Sequence, residues 1–304
     1  MKKLFEIKNL RCSYDKKYVE GASKVVLEIN NLVIPRGKKI FIVGESGVGK
    51  STILETLGLM NNTIVPDKDA TFRFYDKEEK PKDLAALWSM NSDKKLSNFR
   101  LQNYSFIFQS TNMMHNFTAY ENVTFTRMLQ GFTKYSCFRR ARKLLDDLGL
   151  EHVDESRMAH ELSGGQQQRL AFARAILPDF SVLFGDEPTG NLDGVNAVKV
   201  MEILSKKMTE LDEASAIIVT HDMHLAVTFA DVIIKIRKQV REKKRPTDED
   251  VTYGVIDESC VFTPHNEDFD GWTNGSSITS THPLAWRPRP FSSASHVKYC
   301  SLFR

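Results

Sequence analysis

The sequence predicts an α/β fold, a mainly parallel sheet covered by helices on both faces. Short apolar runs without a charge recur along the chain, and each meets a special loop. Between them lie stretches whose apolar residues recur at spacings of three and four, the period of a helix with one buried stripe. Strands that alternate with helices pair in parallel, because the crossover helix returns the chain to the same edge. With 304 residues, 41 % hydrophobic and 27 % charged, the chain can bury a core as one large domain or two smaller ones.

The elements follow in order. Ile40 to Val43 reads as a buried strand running into a glycine-rich turn, and the helical run Thr52 to Leu59 follows. The segment Thr63 to Asn98 is polar and rich in Lys and Asp, which predicts an elaborated surface region outside the core. Tyr104 to Phe108 is the second strand. Ala141, Leu144, Leu145 and Leu148 mark a helix, and another runs from Gln166 to Leu177. Val182 to Phe184 is the third strand, and Val198, Met201, Ile203 and Leu204 form the stripe of the helix after it. Ile217 to Val219 and Val232 to Ile236 complete the set. From Lys235 to Arg245 seven of eleven residues are basic against the single acid Glu242, which predicts a solvated hairpin loop with Tyr253 to Phe262 as its returning strand. This bounds the folded unit at about 1–263. Beyond Asp270 no acid occurs and Ser, Thr and Pro dominate, so 264–304 is expected to be a disordered or partner-binding tail.

Composition excludes several classes. A net charge of +3 gives no global electrostatic case for a nucleic-acid binder, and none is expected as a partner. Cys12, Cys137, Cys260 and Cys300 form no CxxC pair, which argues against a zinc ribbon or a dithiol redox site. Met1-Lys2-Lys3 is not followed by an apolar signal core, and no stretch approaches the ~18 apolar residues of a membrane span, so a cytoplasmic chain is expected.

Three motifs carry chemistry. Gly44-Glu45-Ser46-Gly47-Val48-Gly49-Lys50-Ser51 fits GxxxxGK[ST] between a strand and a helix that opens at Thr52. Its glycines let backbone N–H groups wrap phosphates, Lys50 brings a mobile charge to the β- and γ-phosphates, and Ser51 offers a hydroxyl to Mg²⁺. The strand Val182 to Phe184 delivers Asp186 and Glu187 to the sheet edge where ligands of open α/β folds bind. The first acid can hold the magnesium, and the second can orient and deprotonate an attacking water. In Leu162-Ser163-Gly164-Gly165-Gln166-Gln167-Gln168-Arg169 a serine and two glycines open a helix, an anion-binding terminus free of bulk.

That octet resembles the signature motif of the ATP-binding cassette (ABC) family, and other family positions match residue by residue. Gln109 resembles the Q-loop glutamine that contacts Mg²⁺, and His221 resembles the switch histidine on the γ-phosphate. Asn191-Leu192-Asp193 resembles the D-loop, and Tyr14 resembles the aromatic residue that stacks on adenine. The pattern is similar to the branch of lipoprotein-release, macrolide-export and cell-division ATPases. Gly185 departs from it, standing where the family usually has a side chain.

The resemblance implies a P-loop ABC fold with a RecA-like mixed sheet core, an antiparallel β subdomain and an α-helical signature subdomain over about 110–170. It implies ATP and Mg²⁺ as cofactors, with Glu187, His221 and Gln109 catalytic and Ser51, Gln109 and Asp186 at the metal. Nucleotide would be held by Tyr14, Gly44 to Thr52, and by Ser163 and Gly165 across a head-to-tail homodimer. A separate integral membrane permease would be the partner, placing the chain peripherally on the inner face of the cell membrane. The alternative is a cell-division-type regulatory module that works through a membrane partner without moving solute.

Overall fold

The computed structural model describes residues 1–15, 24–190, 192–241 and 251–264. Residues 16–23, Asn191, residues 242–250 of the basic loop and the tail from 265 on lie outside them.

Chain order begins with the antiparallel strands β1 (Lys3–Ser13) and β2 (Val25–Pro35), followed by β3 (Lys39–Val43) and helix α1 (Lys50–Leu57). Then come β4 (Thr71–Tyr75), β5 (Pro81–Asp83), α2 (Leu84–Ser89), α3 (Asp93–Asn103) and β6 (Tyr104–Ile107). A helical layer follows: α4 (Ala119–Leu129), α5 (Lys134–Asp147) and α6 (Gly164–Ile176). The chain returns through β7 (Val182–Asp186), α7 (Gly194–Glu210), β8 (Ser215–Val219), α8 (Met223–Phe229) and β9 (Val232–Lys235). It closes with β10 (Arg237–Arg241), β11 (Val251–Ile256) and β12 (Val261–Phe262).

These strands make two sheets. One has the order β12-β9-β3-β8-β7-β6, parallel from β9 to β6 with β12 antiparallel at the edge. The other has the order β10-β11-β2-β1-β4-β5 and is antiparallel except where β11 lies parallel to β2. The parallel sheet is apolar on both faces, and successive residues of one strand serve two cores. Phe41, Leu183, Ala216 and Ile218 pack with the apolar stripes of α4 to α8. Ile40, Ile42, Val182, Phe184, Ile217 and Val219 pack with α1 and the antiparallel sheet. Strand period two therefore explains runs with no polar alternation. On α5, Cys137, Ala141 and Leu145, four residues apart, form the buried stripe of a helix that is otherwise charged.

Two expectations are corrected. The segment Thr63 to Asn98 is part of the core: Phe72, Phe74, Leu84 and Leu96 are buried. Its polar average hid the alternation Thr71-Phe72-Arg73-Phe74, which sends both rings inward from β4. Phe74 packs edge-on against Phe5, Phe99 and Tyr104. The hairpin exists as β10 and β11, but the returning strand is not continuous from Tyr253 to Phe262. Asp257 caps a short 3-10 turn over Glu258–Cys260, and β12 then joins the other sheet.

Candidate active site

Parallel pairing places the site. Ile42 stands beside Val219, and Val219 beside Asp186, so the loops after β3, β8 and β7 leave from one edge in a row. Sheet topology alone thus brings Lys50, Ser51, Asp186, Glu187 and His221 together. Ile107 of β6 pairs with Gly185, which sets the exposed Gln109 just beyond the same edge.

The phosphate loop turns on glycines. Gly47 and Gly49 have φ of 75° and 99°, a left-handed backbone that side chains rarely adopt. A Cβ on Gly49 would meet the Val26 carbonyl at 3.4 Å, an ordinary contact, so it is the backbone conformation that calls for glycine there. Val48 is buried and pins the loop, while Lys50 folds back so that its ammonium donates to the carbonyls of Gly44 (2.9 Å) and Glu45 (2.7 Å). The charge is thereby held over the loop that would wrap a phosphate.

Asp186 is half-buried near the Ser51 hydroxyl, which exerts a small lowering pull on its pKa. Burial first, then the neighbouring charges of Glu187 and Glu55, raises its pKa above the ordinary aspartate value, against a lowering pull from Lys50. Three acids thus crowd one ammonium, an excess of negative charge that suits a divalent cation. No three His, Cys, Asp or Glu side chains among the described residues form a closed metal cage. Magnesium needs none: one hydroxyl, one carboxylate, phosphate oxygens and waters are its usual set. Ser51 and Asp186 fit that role.

Glu187 has φ of 47°, a left-handed conformation unusual for a non-glycine residue. The surroundings hold it there, since its N–H donates to Val219 O (2.9 Å) and its carbonyl accepts from Gly190 N–H (3.1 Å). Its carboxylate meets Nδ1 of the exposed His221 at 2.9 Å. Tyr14 is half-exposed beside α1, its hydroxyl bonding Thr52 Oγ1 (3.2 Å) and donating to Glu55 (2.8 Å). The ring is fixed next to the phosphate loop with area left uncovered.

The signature residues stand apart. Ser163 caps α6 in a reciprocal box with Gln166, and among the described residues neither Ser163 nor Gly165 hydrogen-bonds the phosphate loop. Gly164 and Gly165 have ordinary backbone and nothing within 4 Å of an added Cβ. This chain's own fold therefore does not require glycine at either position.

Several contributors escaped the sequence reading. Gly254 in β11 packs so closely on the phosphate loop that a Cβ would lie 2.1 Å from Val48 O, and Lys238 of β10 pairs with Glu45 at 3.4 Å. The basic hairpin is thus a buttress of the loop. A glycine inside a strand was the available signal, marking close backbone approach. Gly185 lies against Pro188 and Ile218, where a Cβ would come within 3.3 Å of the proline ring.

Comparison with known proteins agrees with this geometry. The ABC transporter family profile matches residues 27–190. The chain is 39 % identical over 218 residues to the lipoprotein-releasing system ATP-binding protein LolD of Saccharophagus degradans, spanning 71 % of this chain and 89 % of that protein. It is 35 % identical over 236 residues to the macrolide export ATP-binding/permease protein MacB of Campylobacter fetus, covering 77 % of this chain but 33 % of that longer protein. The fold matches the dimeric structure of MJ0796, a bacterial ABC transporter cassette, with a TM-score of 0.63 and 30 % identity over 76 % of this chain and 94 % of that one. A dimeric post-hydrolysis state of the same cassette bound to ADP and Pi matches with a TM-score of 0.60 at 29 % identity. The chain belongs to the ABC transporter family, as one of its ATPase subunits.

Proposed function

We propose that the chain binds ATP with magnesium at the edge of the parallel sheet and hydrolyses it within a head-to-tail dimer, driving a separate membrane permease. The carrying observation is the Glu187–His221 contact beside the phosphate loop, together with signature glycines that the chain's own packing leaves open.

The residues divide the work. The loop N–H groups and Lys50 hold the triphosphate, and Tyr14 offers its ring to adenine. Ser51 and Asp186, with Gln109 at the adjacent strand end, would hold Mg²⁺, which supplies charge neutralisation across the β- and γ-phosphates when bound. Glu187 accepts the proton of the attacking water, and His221 orients the carboxylate and reaches toward the γ-phosphate. Ser163 and Gly165 serve the second subunit's nucleotide, as the open helix start suits an anion delivered from outside.

A separate permease is supported by the lipoprotein-releasing relative, whose length this chain covers to 89 %. No described helix is long and apolar enough to cross a membrane, which fits a peripheral place beside such a partner on the inner face. Phosphate release by the purified chain, measured with ATP and Mg²⁺ and again with chelator, tests the chemistry, and copurification from membranes tests the partner. Failure to bind ATP would end the reading.

A further inference from the structure

The corner where α4 turns into α5 carries charge of one sign. Between Glu121 and Asp146 the sequence holds six basic residues and no acid. Arg127 is buried and answered by Asp179 at 2.7 Å, and Arg142 pairs with Glu155 at 2.8 Å. Lys134, Arg139, Arg140 and Lys143 are exposed, and among the described residues none of them has an ion-pair partner. On α5 the buried stripe is Cys137, Ala141 and Leu145, so Tyr135, Arg139 and Lys143, also four apart, run along the opposite side.

The same corner leaves apolar area uncovered. Leu129 is 56 % exposed, Phe132 38 % and Tyr135 79 %, three residues apart across the turn between the helices. Phe132 is braced from inside, because the Arg127 guanidinium lies over its ring, 3.8 Å from the centre. Arg127 is fixed in turn by Asp179 and by Leu177 O at 3.0 Å. The exposed ring is therefore held in place by the core beneath it.

Such a corner suits a headgroup layer better than a protein groove. Protein partners meet with complementary charge that fixes their register, and interface cores are poor in lysine. Anionic headgroups offer phosphate oxygens to every cation, and a boundary into which apolar side chains dip while Lys and Arg stems reach back to the phosphates.

We propose that this corner docks on a membrane surface rich in anionic lipid, with Leu129, Phe132 and Tyr135 at the headgroup boundary and the four unpaired cations on the phosphates. A single patch of this kind binds reversibly, since stable anchoring takes a second signal. The contact needs no nucleotide, so it stands or falls apart from the ATPase reading.

The test is sedimentation of the full chain with vesicles of phosphatidylcholine containing about one third phosphatidylglycerol, against vesicles of phosphatidylcholine alone. Binding is expected to be about tenfold or more stronger on the anionic vesicles, and to fall as salt is raised from about 0.1 to about 0.5 M. Arg139→Glu/Lys143→Glu should lose about tenfold or more. Leu129→Ser/Tyr135→Ser, at unchanged charge, should lose about threefold or more. Lys94→Glu/Lys95→Glu, an equal change of charge at exposed positions of α3, should stay within about twofold of wild type. Melting temperatures should stay level across these surface variants; were the reversed α5 pair to misfold, Arg139→Gln/Lys143→Gln decides by the same measure. Equal binding to neutral vesicles, unchanged binding in either corner pair, or an equal loss in the α3 pair would overturn the proposal. So would corner variants that sediment with vesicles as wild type does yet no longer copurify with membranes, a result that assigns the corner to a protein partner.

Discussion

Nδ1 of His221 stands 2.9 Å from Oε1 of Glu187, joining the loops that leave the neighbouring strands β8 and β7. The carboxylate accepts this bond from the exposed imidazole in its Nδ1–H tautomer. The acid is also fixed from behind by its main chain, whose N–H is bonded to Val219 O. A base so constrained meets an attacking water without losing orientational freedom at the moment of reaction.

Glu187→Gln is therefore expected to keep ATP affinity and lose turnover by about 10²–10⁴-fold, the usual worth of a positioned base. The unhydrolysed nucleotide should hold two chains together. Sizing chromatography with ATP checks this, and a variant that binds ATP yet elutes as a monomer would contradict Glu187 as the base of a dimeric site.

Lys50→Ala should lose binding itself. Its ammonium is held over the loop by the Gly44 and Glu45 carbonyls, so it is the side-chain charge placed to meet a triphosphate. Equilibrium binding of a fluorescent ATP analogue measures the effect, and normal affinity would remove Lys50 from the site.

Asp186 carries a pH signature. Its folded pKa is raised by burial and by Glu187 and Glu55, so the folded state holds this proton more tightly than the unfolded chain does. Stability from this group is then greatest below the ordinary aspartate pKa and is lost as pH rises through the raised folded value. Asp186→Asn should consequently melt higher than wild type without nucleotide at neutral pH, with the gap closing toward acid pH, and it should lose the thermal shift that Mg²⁺ adds to ATP. Melting curves across pH show the outcome, and a gap that widens in acid would reverse the sign argued here.

Gly254→Ala tests the buttress. A Cβ 2.1 Å from the Val48 carbonyl forces backbone to move, and overpacking of that kind costs about 1–3 kcal/mol. Because the displaced backbone belongs to the phosphate loop, ATP affinity should weaken together with the melting temperature. Stability lost at unchanged affinity would separate the hairpin from the loop.

The legible part of the molecule was the part written in contiguous residues. Apolar runs such as Ile40 to Val43 announced both the parallel sheet and its edge, and the edge carries the site because β3, β8 and β7 are neighbours. Phe72 and Phe74 were missed because alternation over a few residues disappears in an average dominated by Lys and Asp. Gly254 and Lys238 were missed for a different reason. Each acts on a residue brought near only by folding, Gly254 on Val48 and Lys238 on Glu45. No local pattern encodes such pairs.

Gly165 offers the most discriminating prediction. Open space around its Cβ direction and an ordinary backbone mean that Gly165→Asp should fold as wild type does and bind ATP through its own phosphate loop. In a closed dimer the added carboxylate would face the γ-phosphate of the other chain, where like charges repel and the side chain obstructs closure. Binding and hydrolysis should separate, with affinity kept and turnover lost. Mixing Gly165→Asp chains with Lys50→Ala chains sharpens the test. In the mixed dimer one composite site carries both defects, while the other combines an intact phosphate loop with an intact signature. ATPase activity absent from either variant alone should then return in the mixture, to an extent set by how strongly the two sites cooperate. Normal hydrolysis by the Gly165→Asp chain on its own would show that the signature serves no nucleotide across the interface.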